Sequence, residues 1–257
     1  MKKIYLFLII AMSMSFSPRE TRPIRKNLLF DFTAENADCL TVFGKNMMQN
    51  YNSIGRCCSY SATRSVSQAR SGNFSILYNL RKTDPDIYLS KRVEAARASN
   101  DEPALIPRWY GLSFYLPTDY IKDPSPESVS QWQSPKGMNP PLAIWTDNGK
   151  WKIVVFGVTK YDLGNYVTGK WTDYVLHVKW STGPWGLIEV WKDGVKVKTI
   201  PGANSYEGYP GNYMKNGIYK WPWKKGYPST TTSRNIYIDD VRIGNEKATY
   251  EDVAPGP

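Results

Sequence analysis

Tyr213, Lys215 and Tyr219 stand at even spacing in the segment Tyr213-Met214-Lys215-Asn216-Gly217-Ile218-Tyr219-Lys220. Drawn out as a strand, that spacing sends both phenols and the ammonium to one face, with Gly217 among them, and Met214 and Ile218 to the other. The apolar face suits a core. The other offers a proton-transfer group, a cation and a gap where a ligand or another backbone can approach. Gln131-Trp132-Gln133 repeats the arrangement with two amides opposite an indole, and Arg92-Val93-Glu94 repeats it with a guanidinium and a carboxylate opposite a valine. A sheet face that collects Arg92, Gln131, Gln133, Lys215 and Tyr219 suits an acidic ligand, because guanidinium pairs bidentately with carboxylate and amides donate to it. A solvated outer strand face is the competing reading for any one segment; its threefold repetition argues against that.

The elements that must hold these residues read as strands throughout. Leu28 to Phe32, Phe74 to Tyr78, Trp109 to Leu116 and Ile236 to Ile243 alternate or carry strand-forming residues. Ile153 to Val158 is a continuous apolar run, and Tyr174, Leu176, Val178 and Trp180 alternate with Val175, His177 and Lys179. Lys192-Asp193-Gly194 between Ile188–Trp191 and Val195–Val197 is a hairpin signal. Ser90 to Ser99 carries alanines that could be helical, but Arg92-Val93-Glu94 alternates, and a strand running into a loop is the better reading. Many short strands without a long helix imply an all-β sandwich of the jelly-roll type. One domain over residues 28–250 is expected, with residues 251–257 as a flexible tail.

The start of the chain is set apart. Met1-Lys2-Lys3, the apolar run Ile4 to Met12 and small residues to Ser17 have the layout of a secretory signal peptide over residues 1–17. The run is short of the about 20 residues a membrane span needs, and no second long apolar segment follows. A secreted or periplasmic protein, free of the membrane once the signal is cleaved, is expected. The formal net charge of +10 would suit nucleic acid, an anionic surface or an acidic glycan. The basic residues are scattered among Trp and Tyr rather than massed in a block, and no nucleic-acid motif accompanies them. Three cysteines occur; Cys39 paired with Cys57 or Cys58 is the expected disulfide in an exported chain. The single His and the lack of a CxxC pair build no zinc site, and nothing in the sequence calls for Ca2+ or another cofactor.

Taken in order, these segments resemble the heparin lyase I and glucuronan lyase group of polysaccharide lyases, and more distantly the alginate lyases. The likeness is carried by Lys-Arg-Val-Glu at 91–94, Arg-Trp-Tyr-Gly-Leu-Ser-Phe-Tyr-Leu-Pro at 108–117, Gln-Trp-Gln at 131–133 and Asn-Pro-Pro-Leu at 139–142. Trp-Thr-Asp-Tyr-Val-Leu-His-Val-Lys-Trp-Ser at 171–181, Ile-Glu-Val-Trp-Lys-Asp-Gly at 188–194 and Tyr-Met-Lys-Asn-Gly-Ile-Tyr-Lys at 213–220 complete it. The resemblance implies a concanavalin A-like jelly roll of two curved antiparallel sheets with the substrate groove on the concave face. It implies that Tyr219 delivers a proton to the leaving oxygen and that Lys215 contacts substrate, and it places Gln131 and Arg92 in segments that serve the site. The group usually has His where this chain has Gln133, and Gln cannot take a proton at neutral pH.

The chemistry so implied is β-elimination on a uronate polymer, carried out by a monomer. Arg92, Gln131 and Gln133 would neutralise the carboxylate, and Tyr219 would act first as base and then as acid. One residue can do both only where the C5 hydrogen and O4 leave from the same face, as in glucuronate, so syn elimination at glucuronate is expected. Lys215, Tyr213, Glu94, Trp221 and Trp223 are the expected substrate contacts, the indoles by stacking on sugar faces and the neighbouring lysines by attracting acidic groups. His177 and Lys179 share the polar face of their strand and could reach the groove, although a satisfied structural His is the competing reading. The alternative class is a carbohydrate-binding sandwich that lost catalysis with the family His. A glycoside hydrolase would need two flanking carboxyl groups, and Glu94 and Glu189 are the strand-borne candidates.

Overall fold

Asp193 and Gly194 both take positive φ, 49° and 84°, the backbone that a two-residue hairpin loop requires. The hairpin joins β11 (Leu187–Lys192) to β12 (Val195–Pro201). This computed structural model describes residues 25–35, 57–97, 102–134, 138–208 and 211–256. The expected signal segment, Cys39 and Pro257 lie outside the described residues.

The remaining strands are β1 (Leu28–Phe32), β2 (Ala62–Ser65), β3 (Ser75–Arg81), β4 (Arg92–Ala96), β5 (Pro107–Tyr115), β6 (Glu127–Gln133) and β7 (Leu142–Asp147). They continue with β8 (Lys150–Val155), β9 (Thr159–Asn165), β10 (Trp171–Lys179), β13 (Tyr213–Tyr219) and β14 (Ser233–Gly244). Two short helices, α1 (Trp221–Lys224) and α2 (Tyr250–Val253), follow β13 and β14. An eight-stranded sheet runs β12-β11-β10-β5-β14-β3-β2, with β1 also on β14; a six-stranded sheet runs β4-β13-β6-β7-β8-β9. Every pairing is antiparallel. The molecule is an all-β sandwich of jelly-roll type, and within the 90–99 segment Arg92–Ala96 form the strand β4 rather than a helix, residues 98 and 99 lying outside the described residues.

The alternation along each strand decides what lies between the sheets. Tyr110, Leu112 and Phe114 of β5 and Tyr174, Leu176 and Val178 of β10 are fully buried against Trp132, Trp151, Met214 and Ile218 of the smaller sheet. Tyr110 meets Trp132 edge-on at 5.0 Å, and its hydroxyl accepts the Trp180 indole N–H at 3.1 Å. Rings of this size bury large areas in preferred tilted geometries. They fix the spacing of the sheets and so the outward aim of the intervening residues.

The C-terminal segment is docked, not free. Thr249 and Asp252 cap α2 reciprocally, satisfying donors at the first turn. A Cβ on Gly111 would sit 1.8 Å from the Val253 carbonyl oxygen, so the missing side chain on β5 is what admits α2. Arg25 donates to the carbonyls of Ala254 (2.6 Å) and Gly256 (2.8 Å), and the Gly256 N–H donates to Asp240 at 2.8 Å. The expected flexible tail is thereby corrected for residues 251–256. The disulfide expectation is corrected too: Cys57 is joined to Cys58, leaving neither for Cys39.

At the β14 bulge between Asp239 and Arg242, Asp239 accepts backbone N–H groups from Arg70 (2.9 Å), Ser71 (3.3 Å) and Asp240 (2.8 Å). Burial first, and the adjacent Asp240 charge second, push its carboxyl up to about 7, against the pull of those N–H groups. A folded-state value above the unfolded one means that the native chain holds the extra proton. The associated stability is full below the ordinary carboxylate range and is lost as pH rises through about 7. Thermal unfolding should therefore show a higher midpoint at pH 5.5 than at pH 8, roughly straddling that window, with the difference reduced in Asp239→Asn. An equal pH dependence in the variant would assign the effect to another group.

Candidate active site

β13 lies between β4 and β6, and its register brings the polar residues of all three strands side by side. Tyr219 pairs with Arg92, Gly217 with Glu94, Lys215 with Gln131 and Tyr213 with Gln133. Met214 and Ile218 point into the core, so these pairs occupy the opposite, outer face of the smaller sheet. Gly217 has φ +142°, and a Cβ there would lie 2.2 Å from the Val93 carbonyl oxygen. The close approach that the glycine serves is thus to β4, which is drawn in tightly enough to set Arg92 against Tyr219.

The Arg92 guanidinium carbon is 4.0 Å above the Tyr219 ring, a cation–π contact. Arg92 Nη1 reaches Glu94 at 3.4 Å while its Nε is buried without a partner. Glu94 accepts the Gln131 amide, whose own Oε1 is buried and unpartnered. Lys215 is 6% exposed. Burial lowers its pKa, Arg92 adds to the effect, and the charge of Glu94 opposes both. Unpaired buried polar atoms are costly in isolation, and those of Arg92 and Gln131 gather around one tyrosine.

Tyr219 stands where two cavities of about 260 and 440 Å³ meet. The smaller is walled by Gln131, Trp145, Trp221 and Lys225, the larger by Arg92, Lys215, Tyr213, Gln133 and Tyr88; Asn139 and Pro140 border both. Trp221 packs against Tyr219 (5.2 Å between ring centroids) and Trp145 (4.7 Å), giving the first cavity an aromatic wall. Together they form a groove with a phenol at its waist, Arg92 and Lys215 on one side and the two indoles with Lys225 on the other.

Several expected site residues take other positions. Both N–H donors of Gln133 are engaged, by the Ser134 carbonyl at 3.0 Å and the Met138 carbonyl at 2.8 Å. Its amide is thereby committed to Ser134 and Met138 and has no N–H left for a carboxylate. His177 and Lys179 lie on β10 of the other sheet, opposite its buried residues. There His177 stacks on Trp109 (4.3 Å) and meets Glu189 at 2.8 Å, outside the groove. Trp223 is buried, with its indole N–H on Ser229 at 2.8 Å, so it covers the core rather than a sugar. Glu94 and Glu189 belong to different sheets, and no hydrolase-type carboxyl pair is assembled from them.

Other residues of the groove have weak sequence signals. Asn139 is positioned by Gly157 (φ +72°), where a Cβ would meet the Asn139 Cβ at 2.7 Å. Trp145 alternates on β7, but a run of buried neighbours hides it. Lys225 and Tyr88 come from turns without periodicity. Among the described residues the potential metal-ligand group is Cys57, Cys58 and Asp84, and its two sulfurs are bonded to each other. No described helix is long and apolar enough to cross a membrane.

The endo-β-1,4-glucuronan lyase from the fungus Trichoderma reesei superposes with a TM-score of 0.65 at 19% identity, over 75% of this chain and 89% of that one. An alginate lyase from Pseudomonas aeruginosa gives 0.52 at 17% identity, over 71% and 87%. A β-glucanase catalytic domain from Podospora anserina gives 0.53 at 12% identity, over 73% and 80%. At such identities the likeness is one of fold, which hosts more than one chemistry. No curated protein matches the sequence. The family model described as polysaccharide lyase matches residues 40–242, which is most of the chain, and the protein accordingly belongs to the polysaccharide lyase family.

Proposed function

We propose that the groove binds a uronate-containing polysaccharide and cleaves it by syn β-elimination at glucuronate, with Tyr219 as both base and acid. The observation that carries this reading is the placement of Tyr219 at the waist of the groove with the Arg92 guanidinium 4.0 Å over its ring. β-Elimination needs the uronate carboxylate neutralised so that charge can build on it as C5 loses its proton. Arg92 and Lys215, which line the larger cavity, supply positive charge, and Gln131 and Asn139 supply polar contacts. A carboxylate arriving beside Lys215 adds to the charge of Glu94 in favouring the ammonium form that burial disfavours.

Tyr219, as the phenolate, takes the C5 proton, and the resulting phenol returns a proton to O4 as the C4–O4 bond breaks. The base is regenerated with the unsaturated uronate as product. No imidazole enters this scheme, consistent with Gln at 133. Trp221 and Trp145 offer stacking surface for the sugar beyond the scissile bond. We further propose that the chain is exported through residues 1–17 and acts as a monomer outside the cytoplasm. The test is an activity panel of glucuronan, alginate, heparin and heparan sulfate, read by the ultraviolet absorbance of the unsaturated product. Glucuronan is expected to give the highest kcat/KM. Preference for an iduronate-rich heparin, whose reacting groups leave from opposite faces, would overturn the syn mechanism.

A further inference from the structure

One turn at the rim of the groove breaks the chemistry its backbone calls for. Ile87 and Ser90 exchange both backbone hydrogen bonds, at 2.8 and 3.1 Å. The two residues between them, Tyr88 and Leu89, have φ of 48° and 59°. Two-residue turns with positive φ at both central positions favour Asn-Gly, because a Cβ there crowds the following carbonyl oxygen, which Gly avoids and Asn offsets by local hydrogen bonding. A tyrosine and a leucine at these positions are strained, and burial does not compensate them: Tyr88 is 53% and Leu89 88% exposed.

The base of the turn is held from several directions. Lys91 reaches Asp86 at 2.9 Å, Lys224 pairs with the same carboxylate, and Lys91 Nζ donates to the Asp84 carbonyl. The Lys91 carbonyl in turn accepts the Lys220 N–H at 2.9 Å, fastening the loop to the end of β13 directly after Tyr219. The tip is therefore presented from a fixed base, and Tyr88 forms part of the larger cavity with Arg92, Lys215 and Tyr219. Exceptions to local rules concentrate where function requires them.

We propose that Tyr88 and Leu89 form a substrate-binding finger. Tyr88 lays its ring on a sugar face of the acidic polysaccharide in the subsite beside the one at Tyr219, and Leu89 flanks the same sugar. This rests on the reading of the groove as a uronate site and adds a subsite to it. The finger touches a sugar remote from the reacting carbon, so it binds ground and transition states alike and acts on KM rather than kcat.

The test replaces the pair by the residues the turn prefers, Tyr88→Asn with Leu89→Gly, in the full chain. The expected result is a raised thermal midpoint, because the turn is relieved, together with a KM for glucuronan raised about tenfold and kcat within about twofold. Tyr88→Phe, which keeps the ring, should retain the parent KM. An unchanged KM in the double variant overturns the finger. Should the parent enzyme yield no unsaturated product from any uronate polymer, the elimination reading fails separately. The finger is then judged by equilibrium binding of glucuronan oligosaccharides, followed by tryptophan fluorescence. About tenfold weaker binding by the double variant upholds it; equal affinity, or no binding by either protein, overturns it.

Discussion

Tyr219→Phe should lower kcat on glucuronan by at least about a thousandfold, in keeping with the loss of the group proposed as both base and acid, while KM and the thermal midpoint stay near those of the parent. The substitution removes one oxygen and little else. The packing of this residue is made by its ring, with the Arg92 guanidinium at 4.0 Å and the Trp221 ring at 5.2 Å, and phenylalanine keeps both contacts. The groove keeps its cations, so the polymer should still bind. That separation of binding from turnover is what a transition-state role predicts. Unsaturated product formed at the parent rate would remove Tyr219 from the mechanism. A rise in KM with kcat retained would make it a binding residue instead.

The face bearing Tyr219 was legible because alternation is a strong local signal. Met214 and Ile218 on one side of β13 force Lys215 and Tyr219 to the other, and the same logic holds for Arg92 and Glu94 about Val93 and for Gln131 about Trp132. Alternation identifies the outward face of a strand, yet a sandwich has two outward faces. His177 and Lys179 alternate against Leu176 and Val178 as cleanly as Lys215 does against Met214, but β10 belongs to the other sheet. Only the strand order, set by long-range pairing, separates the two cases.

Partners supplied by irregular backbone were equally out of reach. Gln133 faces the groove side as its strand position dictates, but its amide is taken by the Met138 carbonyl, which belongs to a loop. The 88–89 turn carried neither Gly nor Asn, so the usual marker of its backbone was missing. The docking of α2 depended on Gly111, far away in sequence. A glycine in a strand signals a close approach without naming what approaches; at 217 it was β4 and at 111 the C-terminal helix.

Lys220→Met should destabilise the protein by about 3–5 kcal/mol, the range for breaking a buried ion pair from one side. It should lower the thermal midpoint by roughly 8–15 °C at this chain length. Next to Tyr219 in sequence, Lys220 points the opposite way and is fully buried. Its ammonium lies 3.0 Å from Glu127, 3.6 Å from Asp123 and 2.9 Å from the Ser125 carbonyl. Arg234 meets the same two carboxylates at 3.0 and 3.7 Å, so two cations balance two anions. Burial pushes the Asp123 carboxyl up, but hydrogen bonds from Ser229 and Ser125 and the Lys220 charge outweigh it and hold it below its ordinary value. Methionine fills the volume and leaves one negative charge uncompensated. Lys220→Met with Glu127→Gln removes that charge as well, and the pair should recover a substantial part of the loss, measurable as a coupling energy in a double-mutant cycle. At temperatures where Lys220→Met stays folded, KM for glucuronan should be unaltered, because this lysine faces the core. The other lysines of the same segment differ: Lys225 borders the groove and Lys224 pairs with Asp86. A Lys220→Met protein as stable as the parent would refute the buried-network account, and a raised KM in the folded variant would return Lys220 to the substrate.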